Sequence, residues 1–252
     1  MDLGLAGRTF LVTAASGGLG RATAAALVGE GANVVLVARR ADVLEEAVAE
    51  LGFAHAAALP GDLAEAATAG AAAQLALDRF GGLDGALISV GGPPRGGVLE
   101  NSDDEWRAAF DSVFLAGLRV ARAVVGVATG PVALGFVLST SVKAPLPTMA
   151  ISNGLRPGLG VLVKQLADEL GPEGGRVVGL MPGTILTERI RWLHAQTPDP
   201  AVTRDAAAAA IPLRRFGDPA EFGRVAAFLL SPAAAYVSGC VVPIDGGAMR
   251  AL

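Results

Sequence analysis

Seven short runs of this chain are apolar at nearly every position instead of at alternate ones, and Ala- and Leu-rich stretches of helical length separate them. A strand with one wet face alternates, whereas a strand covered by helices on both faces does not. The apolar runs fall at 9–13, 33–38, 56–59, 85–89, 135–139, 176–180 and 240–244. Helical periodicity occupies 19–30, 41–51, 64–80, 102–129, 153–170, 187–193 and 220–230. That succession predicts βαβ units, and the expected fold class is α/β: a doubly wound parallel sheet with helices on both faces. No internal repeat or Ser/Pro/Gly-rich linker divides the 252 residues, so a single domain over 1–252 is expected. The least regular stretch, 184–215, follows a strand and holds Trp192, His194, Pro198 and Pro200, the composition of a candidate substrate lid.

Composition narrows the function classes. A formal charge of -4 and the absence of basic runs longer than two leave no electrostatic footprint for nucleic acid or an anionic membrane. One Cys (Cys240) and two distant His (His55, His194) supply neither a disulfide nor a zinc site, so no metal is expected. Every apolar run is broken before about 18 residues and no signal-peptide pattern opens the chain, so a cytoplasmic protein is expected.

The first strand runs into Thr13-Ala14-Ala15-Ser16-Gly17-Gly18-Leu19-Gly20 and then directly into a helix. Free amides at a helix start and the positive end of its dipole then face one point, which suits a phosphate. Gly18 and Gly20 would let the backbone approach a pyrophosphate and the helix approach the sheet. The second strand ends in Ala38-Arg39-Arg40. An acid there would bond a ribose hydroxyl, whereas Arg39 would pair with a 2′-phosphate, so NADP(H) is favoured over NAD(H). An ordinary tight turn and a solvated arginine pair are the plainer alternatives.

With the Asp62-Leu63 pair, the run Pro182-Gly183-Thr184-Ile185-Leu186-Thr187, and a tail from Pro212-Leu213-Arg214-Arg215-Phe216-Gly217 to Ile244-Asp245-Gly246-Gly247, the chain resembles the short-chain dehydrogenase/reductase family over nearly its whole length. It is most similar to the 3-oxoacyl-carrier-protein reductase type. The resemblance implies a Rossmann-like fold, a nicotinamide cofactor and a homotetramer. It also implies that Thr13, Ser16, Gly18, Leu19 and Gly20 form the phosphate loop, that Asp62 and Leu63 hold adenine, and that Ser89-Val90-Gly91 passes beneath the adenosine ribose. Pro182, Gly183, Ile185 and Thr187 would line the nicotinamide, with the Ile185 backbone on its carboxamide. Ala14 stands where the family usually has glycine, and Ile88-Ser89-Val90-Gly91 replaces its Asn-Asn-Ala-Gly.

The family's catalytic set departs further. Its Tyr position falls on Ser152, its Lys on Arg156 and its Asn on Val113; only the Ser remains, as Ser141. The single Tyr, Tyr236, lies far along the chain, and neither Lys143 nor Lys164 follows a Tyr by four residues. Arg156 retains a cation that would hydrogen-bond the nicotinamide ribose of the cofactor and favour a developing alkoxide, but it is no proton source. Lys143, two residues beyond Ser141, is a candidate acid if desolvated beside Arg156, and otherwise a surface residue. Ser152 is either part of a proton relay or a structural hydroxyl, and His194 either acts on substrate or is incidental. Cys240 is expected to pack in a core strand. Trp192, Met149, Leu146 and Pro147 would line an apolar pocket, which suits a hydrophobic or aromatic small molecule better than a small charged one.

The function expected from these residues is NADP(H)-dependent interconversion of a carbonyl and an alcohol with an atypical site at Ser141, Lys143, Ser152 and Arg156. The alternatives are a non-redox relative (dehydratase, isomerase, cyclase or ligand-binding protein) and an inactive partner subunit.

Overall fold

The computed structural model describes residues 1–250, apart from the side chain of His194. Seven strands form one parallel sheet: β1 (Thr9–Thr13), β2 (Asn33–Ala38), β3 (Ala56–Pro60), β4 (Gly85–Ile88), β5 (Ala133–Val137), β6 (Arg176–Pro182) and β7 (Cys240–Ile244). Their spatial order is β3-β2-β1-β4-β5-β6-β7. The chain winds outward from β1 to β3, then crosses back to β4 and winds the other way. The reversal lies between β1 and β4, and in open parallel sheets ligands bind in the crevice at that point, beyond the strands' C-terminal ends.

Helices α1 (Gly18–Gly29), α2 (Ala41–Leu51), α3 (Ala66–Phe80), α4 (Asp103–Ala109), α5 (Ala116–Val127), α6 (Ala150–Leu170), α7 (Glu188–Ala195), α8 (Pro200–Ala209) and α9 (Pro219–Leu230) complete the chain. Leu27 of α1, Leu44 of α2 and Phe222 of α9 pack on one sheet face with Val12, Val34 and Leu36. Ala72 of α3, Val120 of α5 and Val163 of α6 pack on the other with Leu11, Val35 and Leu134. Successive strand side chains point to opposite faces, so both sets are apolar and the strands read as continuous runs. Among the described residues no helix is long and apolar enough to cross a membrane.

Five local expectations change. The helix expected at 102–129 is interrupted by a π-helical turn, Phe110–Leu115, which carries buried Val113 and a stacked Phe110–Phe114 pair 5.1 Å apart. The fifth strand begins two residues earlier, at Ala133, which leaves Ser139 outside it to accept from the Ser141 amide at 3.2 Å. Helix α6 begins at Ala150, not 153, so Ser152 lies within its first turn. The stretch 184–215 holds two helices, of which α8 was not anticipated: Asp199 caps it by accepting from Val202 N–H, with Pro200 at its first position. Cys240 sits on the edge strand β7 and is only partly buried, so it packs beside the core and not within it.

Candidate functional site

The loop between β1 and α1 is shaped by close backbone approach. A Cβ on Gly20 would stand 2.7 Å from the Ala14 carbonyl oxygen and 2.9 Å from that of Thr13, so only glycine lets α1 start this near the strand. Helix α1 has no side-chain cap and no acid in its first turn. By contrast, α4 and α9 close their own ends with capping boxes, Ser102/Glu105 and Asp218/Glu221. The first amides of α1, those of Gly18, Leu19 and Gly20, are thus left available to an anion. Thr13, at the start of this loop, is fully buried: its hydroxyl donates to the Ser89 carbonyl at 2.6 Å and accepts from the Ser89 amide at 2.8 Å. Its hydroxyl fixes the exit of β4.

Ala14 has φ 50°, the left-handed region. That conformation costs a non-glycine residue about 1–2 kcal/mol, whereas glycine's looser unfolded chain costs about 0.4–1 kcal/mol. Strain outweighs entropy, so Ala14→Gly is expected to raise stability by roughly 0.5 kcal/mol. Urea denaturation midpoints measure it, and a lower midpoint in the variant would refute the strain argument.

A cleft of about 480 Å³ opens over this loop, and Ser16, Arg39, Asp62, Leu63 and Gly91 all line it, together with Arg40 and Gly92, which sequence reasoning did not single out. Asp62 is fixed by accepting from Ala64 N–H at 2.9 Å, while its carbonyl accepts from the Thr68 hydroxyl at 2.7 Å. Arg40 approaches the Ser16 hydroxyl at 3.4 Å. Arg39 is exposed and forms no ion pair among the described residues. With Ala38 ending β2, the residues that follow this strand are cations and not the carboxylate that would bond a ribose hydroxyl.

At the other end, Pro182 closes β6, and the Gly183 amide donates to the Ile244 carbonyl at 3.0 Å. Ile185 is buried, bridges to Gly217, and accepts from the Thr187 amide at 2.7 Å. Its own amide donates to no group among the described residues, a buried donor suited to a carboxamide oxygen. Thr187 faces the phosphate loop, its methyl 3.2 Å from where a Cβ on Gly18 would stand. The open amides of α1, unpaired Arg39 and the free amide of Ile185 suit the phosphates, ribose phosphate and carboxamide of a phosphorylated nicotinamide dinucleotide.

Between these ends lie the catalytic candidates. Ser141 and Ser152 are 4% and 1% exposed, and their hydroxyl oxygens are 3.2 Å apart. Ser141 also lies within 3.4 Å of the Ser152 carbonyl. Arg156, one helical turn beyond Ser152 and 7% exposed, donates to the Val137 carbonyl at 2.9 Å. Burial, with Arg189 nearby, pushes its pKa down to about 10, so it remains a cation at neutral pH. Lys143 is not with them. It follows a 3₁₀ turn (Thr140–Val142) as an exposed residue, because the turn carries the backbone outward after buried Ser141, and the desolvation expected of its ammonium is absent. Tyr236 is fully exposed in the turn before β7. His194 lies in α7 with its side chain outside the described residues.

Leu146 and Met149 are half-buried on the rim, whereas Pro147 is exposed and Trp192 is 62% exposed, so Trp192 does not close a pocket here. The rim is tied twice. Gly96 pairs with Met149 across a β-bridge, and Asn153 exchanges hydrogen bonds with the backbone of Leu146 at 3.0 and 2.9 Å. Arg189, in the first turn of α7, reaches back over the loop that leaves β4: any Cβ on Gly92 would collide with its guanidinium. No sequence motif marks Arg189; its place two residues past Thr187 was the only available signal.

A family model described as enoyl-(acyl carrier protein) reductase matches residues 13–249. An oxidoreductase of Mycobacterium tuberculosis is 33% identical over 247 residues, covering 95% of this chain and 90% of the relative. Galactitol 2-dehydrogenase (L-tagatose-forming) of Cereibacter sphaeroides is 33% identical over 253 residues, covering 96% and 95%. Among solved structures, L-sorbose reductase from Gluconobacter frateurii, complexed with NADPH and L-sorbose, superposes with a TM-score of 0.94 at 29% identity over the whole of both chains. Sheet order, cleft and family match agree, and the chain belongs to the short-chain dehydrogenase/reductase family of oxidoreductases.

Proposed function

We propose that this chain is an NADP(H)-dependent oxidoreductase that interconverts a carbonyl and an alcohol on a substrate with an apolar body, using Ser141, Ser152 and Arg156. The observation that carries the proposal is the buried Ser141–Ser152 hydroxyl pair beside the Arg156 cation, at the sheet edge next to a cleft suited to a dinucleotide. The NADPH in the L-sorbose reductase complex supports the cofactor assignment, and half-buried Leu146 and Met149 support an apolar substrate body.

The cofactor, when bound, supplies the hydride. Ser152 donates to Ser141, which frees the Ser141 proton to turn from the Ser152 carbonyl to the substrate oxygen. Arg156 lowers the energy of the negative charge that develops on that oxygen, in a site where burial strengthens the field. The proton comes from water through the two hydroxyls, since a guanidinium near pKa 10 is a poor donor at neutral pH. Lys143, exposed, has no part in the proposal. The exposed helices α7 and α8 serve as the lid over 184–215.

Fluorescence titration with NADPH and NADH, followed by NADPH oxidation with a panel of ketones, tests the reading. Stoichiometric NADPH binding with no oxidation of any ketone would favour a non-redox relative, which the exposed and remote position of the only tyrosine would then explain. Arg39→Glu is expected to weaken NADPH about 100-fold, through loss of a charge-assisted bond and new repulsion, while NADH changes less than about threefold. Equal losses for both cofactors would place the 2′-phosphate elsewhere.

A further inference from the structure

The cations at the substrate end of the cleft have no acidic partner. Arg156 engages one N–H on the Val137 carbonyl, and among the described residues neither it nor Arg189 forms an ion pair. A guanidinium carries five N–H donors, so most of those on Arg156 are unengaged. Strands β4 and β5 are neighbours, Ile88 opposite Phe136, so Gly92 and Val137 leave the same sheet edge one strand apart. Arg189 lies against Gly92 and Arg156 against Val137, and the two charges are near enough that Arg189 contributes to the lowered pKa of Arg156. The adjacent carboxylate, Glu188, lies at the phosphate loop, 3.9 Å from where a Cβ on Gly17 would stand, and forms no ion pair with either guanidinium among the described residues. Two neighbouring guanidiniums without a counter-ion, one buried (Arg156) and one exposed (Arg189), repel each other, and an anion between them turns that repulsion into two attractions. This arrangement is local, since the whole chain carries a net charge of -4.

We propose that the substrate carries a carboxylate held between Arg189 and Arg156, its reacting oxygen on Ser141: an apolar 2-oxo acid, 3-oxo acid or the matching hydroxy acid. The inference rests on the oxidoreductase reading above and narrows its substrate. The carboxylate is a handle and is unchanged by the reaction. The carbonyl carbon gains the hydride and its oxygen gains the proton. Planar guanidiniums suit the two oxygens of a carboxylate, and Gly92 leaves room for Arg189 to reach them. The earlier expectation of a hydrophobic substrate is kept for the body and changed for one end.

The test is calorimetric, in pairings that permit no turnover. 2-Oxo-4-phenylbutanoate and its methyl ester are titrated into the NADP⁺ complex, and 3-hydroxy-5-phenylpentanoate and its methyl ester into the NADPH complex. In at least one pair the acid is expected to bind tenfold or more tighter than the ester. In Arg189→Gln that preference falls to within twofold, and in Arg189→Lys part of it returns. The proposal is overturned if each ester binds as well as its acid, if none of the four binds, or if the preference survives in Arg189→Gln. A tenfold loss of NADPH affinity in Arg189→Gln also overturns it, because Arg189 would then answer a cofactor phosphate. Wild-type protein that binds no NADPH fails the wider reading as well, whereas NADPH binding without acid preference fails this inference alone.

Discussion

Replacing Gly20 with alanine is expected to cost about 1–3 kcal/mol of stability, the usual penalty for forcing a methyl into filled space, and to weaken NADPH binding at least tenfold. The new Cβ would stand 2.7 and 2.9 Å from two backbone oxygens and 3.0 Å from a backbone carbon, none of which is the tip of a side chain able to swing aside. Relief requires α1 to move away from the end of β1, and its open amides would move with it. Gly17, three residues earlier, is the control. Its φ of 175° is ordinary extended backbone, and a Cβ there meets nothing nearer than a carboxylate oxygen of Glu188 at 3.9 Å. Gly17→Ala is expected to stay within about 0.5 kcal/mol of the parent. Urea midpoints and NADPH titration of the two variants decide the matter, and matching behaviour of the pair would show that close approach at Gly20 is not what shapes the loop.

Arg156→Met should separate catalysis from stability. Holding this guanidinium charged at neutral pH costs about 3 kcal/mol, the free energy of moving its pKa from the ordinary arginine range down to about 10. Methionine removes that cost but leaves the Val137 carbonyl without its donor, worth about 1–3 kcal/mol. The two nearly cancel, so stability is expected to stay within about 2 kcal/mol of the parent while turnover falls at least 100-fold, the scale seen on removing one group that stabilises an oxyanion. The sign of the pH dependence follows from the same shift. Below about pH 10 the folded state carries the whole burial penalty. Between about pH 10 and the ordinary arginine range above it, the unfolded chain holds more protons than the folded one, and stability rises with pH. Stability compared at pH 9 and pH 11 should increase in the parent by about 1 kcal/mol more than in Arg156→Met. Turnover within tenfold of the parent would remove Arg156 from the chemistry.

The sheet was legible because its signal is local: seven runs with no polar alternation say that both faces are covered, and the strand positions need little more. The cofactor end was legible for a similar reason, since loop glycines and the residues after β2 and β3 act close to their own backbone. Ser16, Arg39, Asp62, Leu63 and Gly91 accordingly line one cleft. What escaped depends on contacts distant in sequence or on a change of helical winding. Helix α8 carries a readable start, Asp199-Pro200, but its Ala run has no apolar stripe to betray a packed face. The π turn at Phe110–Leu115 has no signature in spacing at all. Lys143 was placed by its distance from Ser141 in sequence, and a single 3₁₀ turn was enough to send it to solvent. Arg189 stood in no motif, and only the approach of α7 to the loop after β4 sets it over Gly92.

The double tie along the rim has a consequence for how this cleft changes shape. The loop after β4 is bridged at Gly96 to Met149, and Asn153 clamps Leu146 to the helix that carries Ser152. The loop after β4 and the stretch 146–153, far apart in sequence, are therefore held as one jaw, and Ser152 is anchored within it. The opposite side is less constrained, since α7 and α8 bury little. If α7 and α8 close as the proposed lid, entry and exit become a one-hinged event: the reacting oxygen meets a stationary wall, and the guanidinium of Arg189 travels with the lid. Substitutions at Leu146 or Met149 can then recut the pocket without disturbing the alignment of Ser141, which leaves specificity free to drift while the chemistry holds its place.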